Sequence, residues 1–253
     1  MNIFLQKILK RDLSHAVEPS NSLPLVLKDI QFFGYGWKAK NKFHSYNEIV
    51  SLRYNMKRQA YNSVFKGDEY KLEIFYGNES KSIINADLKE FNSQTLVVKR
   101  FGIGLPRKEL DKLLTIKGFI EKKTYFKRLY RYYKLYLQNG NLDLGYKVQS
   151  NGDIFLHNKV VSNIIDSYKK NLIEFGTEKR ISRMFSMSNS FEVKIHHTKE
   201  FRKFLNNSTS IFLYQDHDIV LSLISNLLNK GYFFEWEPES FYEYYGTFFE
   251  DLI

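Results

Sequence analysis

The stretch KKTYFKRLYRYYKLYL, residues 122–137, combines six basic side chains and six aromatic rings with no acidic residue. On a helical wheel its apolar side chains share one arc, formed by Tyr125, Phe126, Leu129, Tyr132, Tyr133, Tyr136 and Leu137. The opposite side carries Lys123, Lys127, Arg128, Arg131 and Lys134. This pattern predicts an amphipathic helix that buries its rings in a core and turns a basic stripe to solvent.

The predicted helix extends beyond this stretch and separates two regions of strand character. Pro106 suits a first helical turn and Gly140 suits a helix end, so we expect helix from about 106 to 139, with a break at Gly118. Residues 25–100 and 143–215 show the alternation and turn residues of short antiparallel strands.

A final helix follows the second strand region. Ile219, Leu223, Leu227 and Leu228 line one side of residues 216–230. Asp216 is expected to cap its N-terminus, and Gly231 to end it. The chain therefore reads as strands followed by a helix, twice. Two local similarities agree with this repeat: SYNEIVSLRYN with VVSNIIDSYKK, and YKLEI with FEVKI.

The net charge of +10 is concentrated in residues 99–134, which contain twelve Lys or Arg and three acidic residues. Lys and Arg bind phosphates favourably because counterions are released, so this basic band is a candidate site for nucleic acid or an anionic membrane surface. The candidate anion-binding residues are Lys99, Arg100, Arg107, Lys108, Lys123, Lys127, Arg131 and Lys134. The alternative is an ordinary solvated helix face.

The two ends of the chain differ from the middle. Residues 235–253 carry six acidic residues, no basic residue and seven aromatic rings. We expect this acidic tail to pack on the chain or on a partner; whether it masks the basic band is left open. Residues 1–21 are interpreted as a docking helix or linker, too short and too charged for a signal peptide or a membrane span.

The absence of cysteine excludes a disulfide framework, a thiolate zinc site and a thiol nucleophile. Together with the absence of an apolar span, it leads us to expect a soluble, cytoplasmic protein. The sequence indicates no cofactor and no bound metal.

Three features carry a resemblance to a known family: the glycine-kinked strand FFGYGWKAKN, the Tyr46–Glu48–Ile49 segment, and long strands followed by an amphipathic helix. Together they resemble the pleckstrin-homology-like (PH-like) domains of bacterial proteins. The resemblance implies an α+β chain with two small antiparallel β-barrels or sandwiches, each followed by an amphipathic helix. It also implies a non-enzymatic module that binds a protein or an anionic ligand.

The predicted division of the chain has five parts. They are a docking segment at 1–21, a first PH-like domain at 22–118, a basic connecting helix at 119–141, a second PH-like domain with its terminal helix at 142–234, and the acidic tail at 235–253.

A catalytic alternative rests on Glu192 and Lys194, an E-x-K pair of the kind that holds magnesium in nucleases, with Asp166 as the earlier acid. Alternating Glu and Lys on the wet face of a strand is the simpler interpretation. Our leading expectation is thus a binding or adaptor protein that recognises a protein partner or an anionic surface. The alternative is a nucleic-acid-binding protein, and within that class a magnesium-dependent nuclease.

Overall fold

A computed structural model of the chain describes residues 23–61, 64–77, 88–101, 107–144, 146–156, 158–181, 186–196, 208–213 and 215–234. The predicted docking segment at 1–21 and the acidic tail at 235–253 lie outside these residues. The side chains of residues 58–66, 100–107, 156 and 174–213 are likewise not described.

The described residues form β-strands and three α-helices, labelled here in chain order. The strands before the long helix are β1 (Leu25–Leu27), β2 (Ile30–Phe32), β3 (Gly36–Ala39), β4 (Lys42–Ser45), β5 (Ile49–Tyr61), β6 (Val64–Tyr76) and β7 (Asn92–Phe101). The later strands are β8 (Asn141–Asp143), β9 (Lys147–Gln149), β10 (Asp153–Leu156), β11 (Lys159–Asn163), β12 (Ile173–Ile181), β13 (Ser186–His196) and β14 (Ser208–Leu213). The helices are α1 (Arg107–Asn139), α2 (Ile164–Lys169) and α3 (His217–Lys230). Two 3₁₀ turns lie at Tyr46–Glu48 and Leu88–Glu90.

The strands form antiparallel sheets, so the expected α+β class is confirmed. One four-stranded sheet has the order β1-β2-β3-β4, and another has the order β11-β10-β9-β8. A six-stranded sheet has the order β12-β13-β5-β6-β7, with β14 also paired to β13. Within the described strands these sheets stay open, and no barrel closes.

The order of elements repeats along the chain. Strands β1 to β4, a 3₁₀ turn, strands β5 to β7 and helix α1 are followed by strands β8 to β11, helix α2, strands β12 to β14 and helix α3. The short turn and α2 are both capped by a polar side chain, Ser45 in the first case and Asn163 in the second. YKLEI lies on β6 and FEVKI on β13, so the two similar sequences occupy matching strands.

The two halves share one sheet. Residues 186–189 of β13 pair with residues 56–59 of β5, and residues 191–196 of β13 pair with β14. Strand β5 of the first half therefore joins the sheet of the second half. Strands β5 and β14 pair with different parts of the same edge of β13.

Helix α1 takes part in two hydrophobic cores. Leu113, Ile116 and Ile120 are buried in the first core with residues of β1 to β3 and β5 to β7. Leu129, Tyr132 and Tyr133, with the side chains of α3, are buried in the second core. None of the described helices has the length and apolarity needed to cross a membrane.

The helix ends agree with the sequence prediction, but the break at Gly118 is wrong. Gly140 and Gly231 adopt left-handed conformations at the ends of α1 and α3, as expected. Helix α1 continues through Gly118, which is buried. Ile116 and Ile120 anchor the helix on both sides of Gly118. Their burial outweighs the roughly 1 kcal/mol that glycine costs inside a helix.

Candidate functional site

The basic stripe predicted on α1 does not face solvent. Lys127, Arg128 and Arg131 are buried, and Arg128 is 0% exposed. The ammonium groups of Lys123 and Lys134 lie over the rings of Phe119 and Tyr130, at 5.8 and 5.2 Å from the ring centroids. The prediction of a solvent-facing stripe is therefore wrong for its three central members. The helical wheel failed because it assumes one buried side, whereas α1 packs on protein on more than one side.

Arg128 is the centre of a buried polar cluster, called here the Arg128 network. The network consists of Ser51, Leu52, Lys117, Glu121, Thr124, Arg128, Tyr132, Asp216 and Asp218. Its members come from β5, from α1, and from the start of α3 in the second half. The network thus lies where the two halves meet.

All five N–H groups of the Arg128 guanidinium have acceptors within the protein. Nε donates to Thr124 Oγ1 at 2.9 Å, and one terminal nitrogen donates to Asp216 Oδ1 at 3.1 Å and Asp218 Oδ1 at 2.7 Å. The other terminal nitrogen donates to the Glu121 carbonyl at 3.1 Å and to Asp218 Oδ2 at 2.6 Å. Because guanidinium has no sixth donor, Arg128 has none left for an external anion.

Asp216 lies at the N-terminal end of α3, and its carboxylate connects this helix to β5 and α1. Its carboxylate accepts hydrogen bonds from Ser51 Oγ and the Leu52 N–H, both at 2.8 Å, and from the Tyr132 hydroxyl at 3.3 Å. Its own N–H donates to the Leu52 carbonyl at 2.7 Å. Asp216 occupies the N-cap position of α3, as predicted, with φ +47°, but its side chain makes no cap hydrogen bond. The free edge of β5 attracts the carboxylate that an isolated helix would have used as a cap.

The network carries more negative than positive groups. Lys117 Nζ lies 2.8 Å from Glu121 Oε1 and lies over the ring of Tyr54. With Arg128, this gives two cations against the carboxyls of Glu121, Asp216 and Asp218. Burial raises the pKa of Glu121 to about 7; Lys117 lowers the value and Asp218 raises it. A protonated Glu121 would balance the charge.

Three other members of the network, Asp218, Arg128 and Tyr132, keep their usual charge states. Burial raises the pKa of Asp218, but Arg128 more than offsets this, and the pKa lies below its ordinary value. Burial lowers the pKa of Arg128, but Asp218 and Asp216 raise it by more, so the pKa lies above its ordinary value. Burial and Asp216 raise the pKa of Tyr132. The network is therefore a buried cluster of paired charges that connects β5, α1 and the start of α3.

An exposed aromatic cluster lies on the first four-stranded sheet. The ring centroids of Phe33 and Tyr35 are 5.9 Å apart, those of Tyr35 and Phe43 5.3 Å, and those of Phe33 and Phe43 6.4 Å. Tyr35 is 68% exposed and Phe43 44%. Leu23 and Val26 are also exposed. These five residues are called here the outer aromatic surface.

The sheet register places this surface on the side away from the core. Val26 lies opposite Gln31, Gln31 opposite Lys38, and Lys38 opposite Phe43. Residues directly opposite each other share a face, and all four are exposed. The neighbouring row, which includes Phe32 and Trp37, is buried in the first core.

Gly36 and Tyr46 hold the aromatic rings in place. A Cβ atom on Gly36 would overlap both the Phe43 ring and the carbonyl oxygen of His44, so only glycine lets the ring lie across β3. The hydroxyl of Tyr46 donates to the Phe33 carbonyl at 2.6 Å, which fixes the loop that carries Phe33 and Tyr35. Burial raises the pKa of Tyr46, so its hydroxyl keeps its proton.

The predicted anion-binding residues do not form one cluster in the described structure. Lys99 on β7 is 56% exposed along its side chain and lies 3.4 Å from Glu69. Lys108 is exposed on the first turn of α1. Arg100 and Arg107 are described only by their backbone. Anion binding by this band stays a prediction.

The three nuclease candidates lie on neighbouring elements. Asp166 is exposed on α2, and its N–H donates to Asn163 Oδ1 at 3.0 Å. Glu192 and Lys194 lie on β13, beside α2, and their side chains are not described. Among the described residues no three His, Asp or Glu side chains are grouped as metal ligands. The nuclease interpretation therefore stays a prediction.

The outer aromatic surface was not predicted from the sequence, because FFGYGWKAKN was interpreted only as a kinked strand. The available signal was Tyr35 between two glycines, since a large ring on a turn has no neighbouring side chains to cover it. Comparison of the chain with protein-family models, with curated proteins and with solved structures found no match.

Proposed function

We propose that this chain is a non-enzymatic, cytoplasmic binding module that recognises a protein partner through the outer aromatic surface. In this proposal each half is a PH-like unit, and the two units act as one rigid support. The repeated order of elements supports the two-unit arrangement. The shared sheet and the Arg128 network are the observations that favour a rigid connection between the two units.

The exposed ring cluster is the observation that carries this proposal. Large apolar side chains on a monomer surface are usually scattered, whereas here three rings lie within 6.4 Å of one another around a fixed turn. Aromatic side chains supply much of the binding energy in protein interfaces because they bury a large area at a small entropy cost. Tyr35 and Phe43 are the expected anchors.

The charged groups favour binding over catalysis. The most buried titratable groups are paired in the Arg128 network, and Arg128 has used all its donors. Basic side chains expected to attract an anionic surface, Lys127 and Arg131, are buried. Of the other described candidates, Lys99 and Lys108 are exposed, and Lys123 and Lys134 are partly exposed.

A random twelve-residue peptide library displayed on phage tests this function. Selection on the full chain should enrich peptides that bind the wild type and lose at least about thirtyfold in affinity for the Tyr35→Ala/Phe43→Ala variant. Val160→Ala, which removes an exposed apolar side chain elsewhere, should leave binding unchanged. Enriched peptides that bind the double variant equally well would contradict the proposal.

A further inference from the structure

Four lysines surround the outer aromatic surface. Lys28, Lys38, Lys40 and Lys42 are exposed, and none of them forms an ion pair with a described residue. Within residues 23–45 the acidic side chains are limited to Asp29. The face that exposes the rings is therefore positively charged through Lys38 and through Lys28 and Lys40 in the turns at its edge. Lys42 lies opposite the buried Ala39 and belongs to the other face of the sheet.

The lysines and the rings are arranged along the strands. Lys28 lies in the β1–β2 turn, and Lys40 with Asn41 forms the β3–β4 turn, so these turns lie at the same end of the sheet. Tyr35 lies in the β2–β3 loop at the other end. Lys38 is between them, directly opposite Phe43. Since β3 has four residues, the two ends are separated by roughly 10 Å.

Two of these lysines occupy unusual backbone positions. Lys28 has φ +55° and Lys40 has φ +47°, in the left-handed region that glycine and asparagine occupy more easily. Glycine at either position would relieve the strain, so the fold itself does not require a lysine there. The turn geometry therefore does not account for a lysine at either position.

We infer that the segment recognised here has an apolar or aromatic anchor followed, within two to five residues, by carboxylates. This inference rests on the proposed function. The anchor contacts Tyr35 and Phe43. In an extended segment, three residues span about 10 Å, so carboxylates at that spacing reach Lys38 and the lysines of the β3–β4 turn. Charges of opposite sign on the two partners then fix the direction of the bound segment.

The test uses the same random peptide library and one further variant of the full chain, Lys38→Gln/Lys40→Gly/Lys42→Gln. Glycine suits the left-handed turn position, and the other two side chains are exposed, so this variant keeps the fold. Peptides that lose affinity for the Tyr35→Ala/Phe43→Ala variant are called here ring-dependent peptides. They should be rich in Asp and Glu two to five residues from an aromatic residue. They should bind this lysine variant about tenfold more weakly than the wild type at low salt. The difference in affinity should shrink in roughly 0.5 M salt, because salt screens the charges.

The outcomes separate this inference from the proposed function. Ring-dependent peptides without acidic enrichment, or with unchanged affinity for the lysine variant, would overturn the inference and leave the function standing. Absence of any ring-dependent peptide would overturn both. Vesicles of phosphatidylserine and phosphatidylcholine serve as the membrane comparison. Ring-dependent vesicle binding without peptide binding would overturn the inference in favour of a lipid surface.

Discussion

At the scale of single residues, Arg128 shows that a basic side chain in a basic stretch can serve the interior of a protein. It is surrounded by a hydroxyl, a main-chain carbonyl and two carboxylates from another helix. The desolvation cost of burying its charge is offset only because Asp216 and Asp218 are present. Removing any one member leaves an unpaired group in the interior.

Arg128→Met tests this dependence. The variant leaves Asp216 and Asp218 buried without their cation, so the free energy of unfolding should fall by about 3–5 kcal/mol. Lys112→Met, at an exposed position of the same helix, should change it by less than about 0.5 kcal/mol. Urea denaturation of the three proteins measures both values. Equal stability of the Arg128 variant and the wild type would show that the network contributes nothing.

Glu121 makes the stability of the protein depend on pH. Its pKa is raised from 4.5 to about 7, so between these values the folded protein holds a proton that the unfolded chain has lost. Stability from this group is therefore complete below pH 4.5 and falls as pH rises towards 7, by about 1.4 kcal/mol per pH unit. Glu121→Gln removes the titration. The wild type should lose stability relative to the variant between pH 5 and pH 7 in urea denaturation; a constant difference would contradict the raised pKa.

At the scale of elements, the first four-stranded sheet owes its outer aromatic surface to close packing of two strands. Phe43 on β4 reaches across β3 because Gly36 has no side chain. The ring then meets Tyr35 and Phe33 instead of extending into solvent alone. The surface therefore depends on a glycine that makes no contact of its own with a partner.

Gly36→Ala should damage both stability and binding. The added methyl group overlaps the His44 carbonyl, which is main chain and cannot rotate away, so we expect a loss of about 1–3 kcal/mol. Gly34→Ala is the matched control, because its nearest atom is Leu23 Cδ1 at 3.7 Å, an ordinary contact. Thermal unfolding followed by circular dichroism distinguishes the two. A Gly36 variant as stable as the Gly34 variant would refute this role of Gly36.

The elements were largely predictable because their signals are local. Alternation and turn residues located the strands, and Gly140 and Gly231 located the ends of α1 and α3. Gly118 and Arg128 were misinterpreted, and the hydrogen bonds of Asp216 to β5 were missed, because these features depend on packing with residues far away in the chain. Asp216 binds Leu52, which lies on β5 in the other half. No window of neighbouring residues contains that information.

At the scale of the whole molecule, helix α1 joins the two halves. Its first part is buried in the core that contains Trp37, and its later part in the core that contains Leu129. The shared six-stranded sheet and the Arg128 network connect the same halves. We therefore expect the chain to unfold as one cooperative unit rather than as two.

Leu129→Ala tests this cooperativity. Trp236→Phe first leaves Trp37, in the first core, as the sole tryptophan. The Leu129 substitution removes a buried side chain from the second core and should cost about 2–5 kcal/mol. Its effect should appear equally in Trp37 fluorescence and in far-ultraviolet circular dichroism. A Trp37 transition that keeps its midpoint while the dichroism transition moves would show that the halves unfold independently.

The central claim is that the partner binds to the outer aromatic surface and not to the basic side chains of α1. The most direct measurement compares the affinity of the selected peptide pool for the wild type, for Tyr35→Ala/Phe43→Ala and for Lys123→Gln/Lys134→Gln by biolayer interferometry. We predict that the Tyr35→Ala/Phe43→Ala variant loses binding and that the Lys123→Gln/Lys134→Gln variant keeps it. Loss of binding in the Lys123→Gln/Lys134→Gln variant, with unchanged binding by the Tyr35→Ala/Phe43→Ala variant, would contradict this account.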